Sequence, residues 1–327
     1  MSEMNIREFV EQVNRFGHLE TPFLFVVDFE MRKPLVFPID NLDQHRIRFD
    51  INGFRNYNPT TVRHTQPFII RKIPLQLSDY KKKFDKVYQY LHHGDSYLTN
   101  LTVKTEINLS ADLYTIFCNS VAKYKLLMGD DVLVFSPEAF VRIENGRIFS
   151  NPMKGTIDAT LPDAYQTILD DQKELAEHVT IVDLIRNDIS QVASDVRVTR
   201  FRYADEIVTQ NHKLLQISSQ IEGILPHGYA SKLGDILLAL LPAGSVSGAP
   251  KPKTVSIIRD AEGENRGYYT GIFGYFDGAK LDSGVMIRYI EKVNERYFYR
   301  SGGGITTQSV VENEYQEVID KIYVPVD

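Results

Sequence analysis

Cysteine, tryptophan, long apolar runs and blocks of one charge are all scarce in this chain. Cys118 is the one cysteine, so no internal disulfide framework can form, and a reducing compartment is expected. The longest apolar candidate, residues 236–241, is far too short to cross a bilayer. Residues 1–8 are polar and charged, without the apolar centre of a signal peptide. A soluble, cytoplasmic protein is expected. The net charge of −6 and the lack of Lys/Arg runs give no support to nucleic-acid binding. A small anionic substrate would therefore need a local positive pocket. None of the eight histidines is spaced as a metal-ligand set, which argues against zinc. No repeat and no Pro/Gly/Ser-rich linker divides the chain, so one domain over 1–327 is expected.

An apolar fraction of 43% supplies a substantial core. Strands are expected at 23–27, 35–37, 97–107, 132–135, 268–276, 283–290 and 296–300, with a hairpin turning at Asn145-Gly146. Helices are expected from a cap at Ser78 to Gly94, and at 111–124, 172–187, 229–241 and 314–322. The polar stretch 46–67 reads as a surface loop. Hairpins with helices between them predict an α+β fold with mostly antiparallel sheet.

Two acidic pairs are the most informative feature. Glu174 and Glu177, and Glu314 and Glu317, each stand three positions apart in a helical stretch, so each pair shares a face. Hard oxygen ligands from two helices suit Mg²⁺, although Asp171-x-x-Glu174 also fits a capping box and Asn313 an N-cap. The segment 244–251 departs from a phosphate loop, because its spacing is one residue short and Pro250 removes an N–H. Its small residues still allow backbone N–H groups to face an anion, with Pro250 opening a helix. Gly302, Gly303 and Gly304 would let backbone approach a ligand closely, or accommodate a bend. Lys154, if desolvated, would have a lowered pKa and could act as nucleophile or base. Arg288 interrupts the apolar run 285–287 and could grip a carboxylate.

Taken together, these segments resemble the chorismate-utilising enzymes. The resemblance covers residues 68–321 and rests on Gly94-Asp95-Ser96-Tyr97, Ser136-Pro137-Glu138 and 152–156. It continues through Lys173-Glu174-Leu175-Ala176-Glu177-His178, Asp183-Leu184-Ile185-Arg186-Asn187-Asp188, 244–251, Arg266-Gly267-Tyr268-Tyr269-Thr270-Gly271, Ile287-Arg288, 302–305 and 314–321. The resemblance implies two stacked, mostly antiparallel sheets with outer helices. It implies Mg²⁺ on Glu174, Glu177, Glu314 and Glu317. It also implies a substrate cradle from Arg288, Tyr269, Gly302, Gly303, Gly304, Thr156, Lys321 and the loop Ser247-Gly248-Ala249.

Lys154 points to the aminodeoxychorismate branch of that family, in the 4-aminobenzoate (folate) route. There, Lys154 would attack chorismate C2 while Glu138 protonates the leaving 4-hydroxyl, and ammonia would follow. A glutamine amidotransferase partner would supply that ammonia, since no glutaminase nucleophile motif surrounds Cys118. The chemistry asks for a raised pKa at Glu138 and a lowered one at Lys154. The sequence departs from the family at Leu98, where water-activating members carry lysine and amino-transferring members carry glutamine, and at Gln216, where most carry histidine; His212 could substitute. Ile157-Asp158 replaces a common Arg-Pro. The absence of Leu-Leu-Glu-Ser implies no tryptophan feedback. Anthranilate synthesis, and a catalytically silent chorismate-binding subunit, are the alternative readings.

Overall fold

The computed structural model describes residues 4–58, 68–208 and 213–326. Among these residues the strands form two nine-stranded sheets, and the pairing is antiparallel throughout. The first sheet runs, in spatial order, Met153–Asp158, Lys213–Ile224, Arg147–Ser150, Ala139–Glu144, Leu281–Val285, Ile272–Phe276, Phe23–Val27, Leu35–Pro38. Ser194–Val208 joins it by pairing with Lys213–Ile224. The second runs Gly248–Ala249, Leu98–Leu109, Arg296–Ile305, Tyr289–Val293, Val132–Ser136, Tyr124–Met128, Ile47–Ile51, Phe54–Arg55, with Ile70–Ile73 beside Leu98–Leu109.

Alternation along each strand decides which face is buried. Leu24, Val26 and Phe273 of the first sheet meet Phe49, Leu126 and Val134 of the second in one apolar layer. On the other face of the first sheet, Phe25 and Val27 pack with Phe9, Val13, Val182 and Leu237. Those come from the helices Ile6–His18, Gln172–Ile189 and Leu233–Leu240. Leu101 and Val103 of the second sheet pack with the helices Leu77–His92, Lys251–Glu262 and Val311–Asp320. No described helix is long and apolar enough to cross a membrane.

Several expectations shift at their edges. The stretch 46–67 is not a loop throughout, because Ile47, Phe49 and Ile51 alternate inward between charged neighbours; residues 59–67 lie outside the described residues. The helix expected over 111–124 is confined to Leu113–Asn119, since Tyr124–Met128 is a strand with every residue buried. Gln76, not Ser78, precedes the second long helix, and the last helix begins at Val311, leaving Asn313 inside it. Pro250 sits at the cap position of Lys251–Glu262. The run 283–290 is two strands in different sheets. The chain crosses between them at 286–288 and places Arg288, with φ 52°, in the break. The glycines 302–304 lie inside the strand Arg296–Ile305 rather than beyond it. The Asn145-Gly146 turn does form, both residues having positive φ, as a tight hairpin requires.

One buried ion pair ties these layers together. Arg266, 1% exposed, donates to Glu262 at 2.6 and 3.0 Å and to the carbonyls of Val246 and Asn100, each at 2.8 Å. Glu262 also accepts from the Thr102 amide and hydroxyl at 2.8 and 2.9 Å. Removing one partner strands the other charge, which costs more than removing both. Arg266→Met should lower unfolding free energy by about 3–5 kcal/mol. The double variant with Glu262→Met should recover a large part of that loss, measured by urea denaturation.

Candidate active site

Lys154 lies on the strand Met153–Asp158 and reaches Glu177, on the helix Gln172–Ile189, at 2.5 Å. Asp171 starts that helix by accepting from the Glu174 amide at 2.9 Å, so the first acidic pair rides its opening turns. Gly155, at φ 82°, brings the chain so close that a Cβ there would stand 3.2 Å from Glu174 Oε2. The second pair belongs to Val311–Asp320. Glu314 accepts from the Ser309 hydroxyl at 2.8 Å, and Glu317 pairs with Lys321 at 2.6 Å. A Cβ on Gly303 would meet Glu314 Oε2 at 3.3 Å and Glu317 Oε1 at 3.4 Å, so these two carboxylates face one point above a bare stretch of backbone.

Among the described residues no three acidic, His or Cys side chains form a ready-made metal cage. Ammonium groups engage oxygens of both pairs instead: Lys154 on Glu177, Lys321 on Glu317. Carboxylate oxygens converging over glycine backbone are nonetheless the donor set a hard dication takes, and they fit Mg²⁺.

Glu138 follows the strand Val132–Ser136, its amide donating to Ser136 Oγ at 3.1 Å and its carboxylate accepting from the Ser245 hydroxyl. Burial raises its pKa, opposed by Ser245, Arg288, Lys321 and Lys154. That direction agrees with the expectation. At Lys154 burial lowers the pKa, but Glu177, Glu174 and Glu317 outweigh it and hold it above its ordinary value. The lowered pKa expected there is therefore corrected: acidic neighbours, not desolvation, set the sign.

Glu138, Lys154, Arg288, Tyr269, Lys321 and the three glycines line one cavity of about 160 Å³. Tyr269 is buried, which pushes its phenol up to about 12. Lys321 also donates to the Gly302 carbonyl at 2.8 Å. Leu98 forms an apolar wall against Gly304, where a Cβ would approach its Cδ1 to 3.0 Å.

Other expected residues stand behind this lining. Ser247 donates to the Ala243 carbonyl at 2.9 Å, and Gly248-Ala249 pairs with Leu98-Thr99. Only glycine fits at 248, since a Cβ would fall 2.0 Å from the Leu98 carbonyl oxygen. Lys251 is tied to buried Asp188 at 2.6 Å, which joins the acid-bearing helix to the loop 244–250. The Thr156 side chain and His212 lie outside the described residues. Gln216 pairs across the sheet with Thr156. His178 donates to or accepts from Ser219 at 2.7 Å, and burial, with Arg202 and Lys154, pushes its pKa down to about 4. Ser245, Asn100 and Met153 also line the cavity and were not singled out from the sequence. All three lie in segments that carry the family resemblance, Asn100-Leu101, 152–156 and 244–251, without having been given a role there.

The chain matches the model of the family described as chorismate binding enzyme over residues 9–327. It is 50% identical to an uncharacterised PabA-like protein of Pasteurella multocida, over 99% of this chain and 100% of that protein. It is 33% identical to aminodeoxychorismate synthase component 1 of Escherichia coli, over 74% of this chain but only 56% of the synthase. Among solved structures, anthranilate synthase component I from Streptococcus pneumoniae aligns at 27% identity and TM-score 0.66, over 79% of this chain and 59% of its own. The menaquinone-specific isochorismate synthase of Escherichia coli aligns at 15% identity and TM-score 0.71, over 96% of this chain and 80% of its own. At that identity it shows the shared fold of two antiparallel sheets with outer helices.

The raised pKa of Glu138 has a stability consequence. The folded chain holds this proton where the unfolded chain has released it, so stability falls as pH rises from the ordinary glutamate range through the folded pKa. Glu138→Gln should therefore be more stable than the parent at pH 8, with the difference closing by pH 4, read from urea midpoints.

Proposed function

The chain belongs to the chorismate binding enzyme family, and within it we propose that it is an aminodeoxychorismate synthase component I. The observation that carries this reading is Lys154 and Glu138 on the wall of one cavity that also holds Arg288 and Lys321. A lysine and a carboxyl of raised pKa are the nucleophile and the general acid that exchange of an allylic hydroxyl needs.

The steps balance as follows. The Lys154 amine, once neutral, bonds to C2 of chorismate. Both ring double bonds move one position along the ring, and the C4–O bond breaks. Glu138 gives its proton to that oxygen, so the leaving group departs as water rather than hydroxide. Ammonia then bonds to C4, both double bonds shift back and the C2–Nζ bond breaks. Lys154 is returned and the product is 4-amino-4-deoxychorismate. Arg288 and Tyr269 hold the enolpyruvyl carboxylate beside the bare Gly302–Gly304 backbone, and Lys321 completes the positive wall. Leu98 offers no base to activate water beside C2, which favours the lysine. Glu174, Glu177, Glu314 and Glu317 would hold Mg²⁺, whose charge when bound offsets the ring carboxylate. A glutamine amidotransferase partner supplies ammonia in this reading, supported by the likeness to the synthase component.

Withholding ammonia tests the reading. Intact-protein mass spectrometry with chorismate and Mg²⁺ should show a covalent adduct of chorismate less one water, located at Lys154 by peptide mapping. Lys154→Ala should lose the adduct while still binding chorismate. Glu138→Gln should slow amination by about 10²–10⁴-fold. An adduct-free parent that turns chorismate over would contradict the proposed nucleophile.

A further inference from the structure

Arg288 stands where the chain leaves one sheet for the other, with left-handed backbone and its carbonyl held by the Phe135 amide at 3.1 Å. Its Nε is buried without a partner among the described residues. Its guanidinium carbon lies 5.1 Å from the ring centroid of Tyr323, within cation–π reach, and the Tyr323 hydroxyl is a further polar neighbour of the guanidinium. The ring is exposed, and the backbone that carries it is braced. The Tyr299 hydroxyl donates to the Tyr323 carbonyl at 3.2 Å, and Ile322 is 1% exposed in the core beside it. Further on, the Val121 amide donates to the Pro325 carbonyl at 2.8 Å, and Ser120 bridges to Val326. The segment after the last helix is thus strapped across the second sheet, with Tyr323 against the arginine that lines the cavity.

We propose that Tyr323 is a positioning residue, whose ring face holds the Arg288 guanidinium aimed at a substrate carboxylate. A flexible arginine otherwise loses side-chain freedom when it grips an anion, and a ring that has already ordered it lowers that cost. This role rests on the reading of Arg288 as a carboxylate grip, and it holds whichever product the enzyme makes.

The test is calorimetric binding of chorismate, with Mg²⁺, alongside steady-state kinetics. Tyr323→Ala should weaken Kd and KM about three- to tenfold with kcat within about twofold of the parent. Tyr323→Phe keeps the ring and should return both to near the parent values. Tyr323→Leu keeps apolar bulk without a π face and should bind as weakly as the alanine variant. Leucine restoring the affinity, phenylalanine failing to, or alanine binding normally would each overturn the role. Arg288→Met separates the two claims. If it binds chorismate as tightly as the parent, the carboxylate grip is wrong and the proposal falls with it. If it weakens binding while Tyr323→Ala does not, only the positioning role falls.

Discussion

Charge that has left bulk water must be answered by charge, and the ion pair between Lys154 and Glu177 is where this fold answers it. Two helices and two strands bring four glutamates and Glu138 to the neighbourhood of one small cavity. Lys154 offsets Glu177 and Lys321 offsets Glu317, while Arg288 adds a third cation. In the proposed reading these acids would hold Mg²⁺, and Lys154, Lys321 and Arg288 on the cavity wall would face the anionic substrate.

Everything around the cavity serves to hold backbone close to backbone. Gly248 lets the loop before Lys251–Glu262 pair with the first residues of Leu98–Leu109, while Gly303 and Gly304 leave room for glutamate oxygens and for Leu98. Arg266 and Glu262 lock the carbonyls of Val246 and Asn100, two residues of the cavity wall, into fixed positions. Asp188 and Lys251 do the same for the acid-bearing helix. These are interior charges used as registration pins. Their value lies in the cost of removing one without the other.

Local signals in the sequence carried much of this. The apolar stripe of Gln172–Ile189, the Asn145-Gly146 turn and the spacing of both acidic pairs follow from periodicity and turn chemistry alone. Part of what stayed hidden depends on partners distant in sequence. Ile47, Phe49 and Ile51 alternate over five residues, enough for a strand, but the polar residues on both sides masked the alternation. The helix Ile6–His18 was legible and went unread: Phe9, Val13 and Gly17 recur at helical spacing behind a capping box of Asn5 and Glu8. At the break at 286–288 the sequence offers one signal, Arg288 interrupting the apolar run, and the change of sheet itself is a tertiary event. The sign of the Lys154 shift was missed for a related reason: desolvation can be inferred for one residue, whereas the glutamates around it come from two other helices.

In the proposed function, this cavity exchanges the 4-hydroxyl of chorismate for an amine. The most direct measurement is mass spectrometry of the products formed by the purified protein from chorismate, Mg²⁺ and an ammonium salt. Accumulation of 4-amino-4-deoxychorismate without anthranilate is the predicted result. Anthranilate or isochorismate as the product would contradict the claim and leave Lys154 without the role assigned to it.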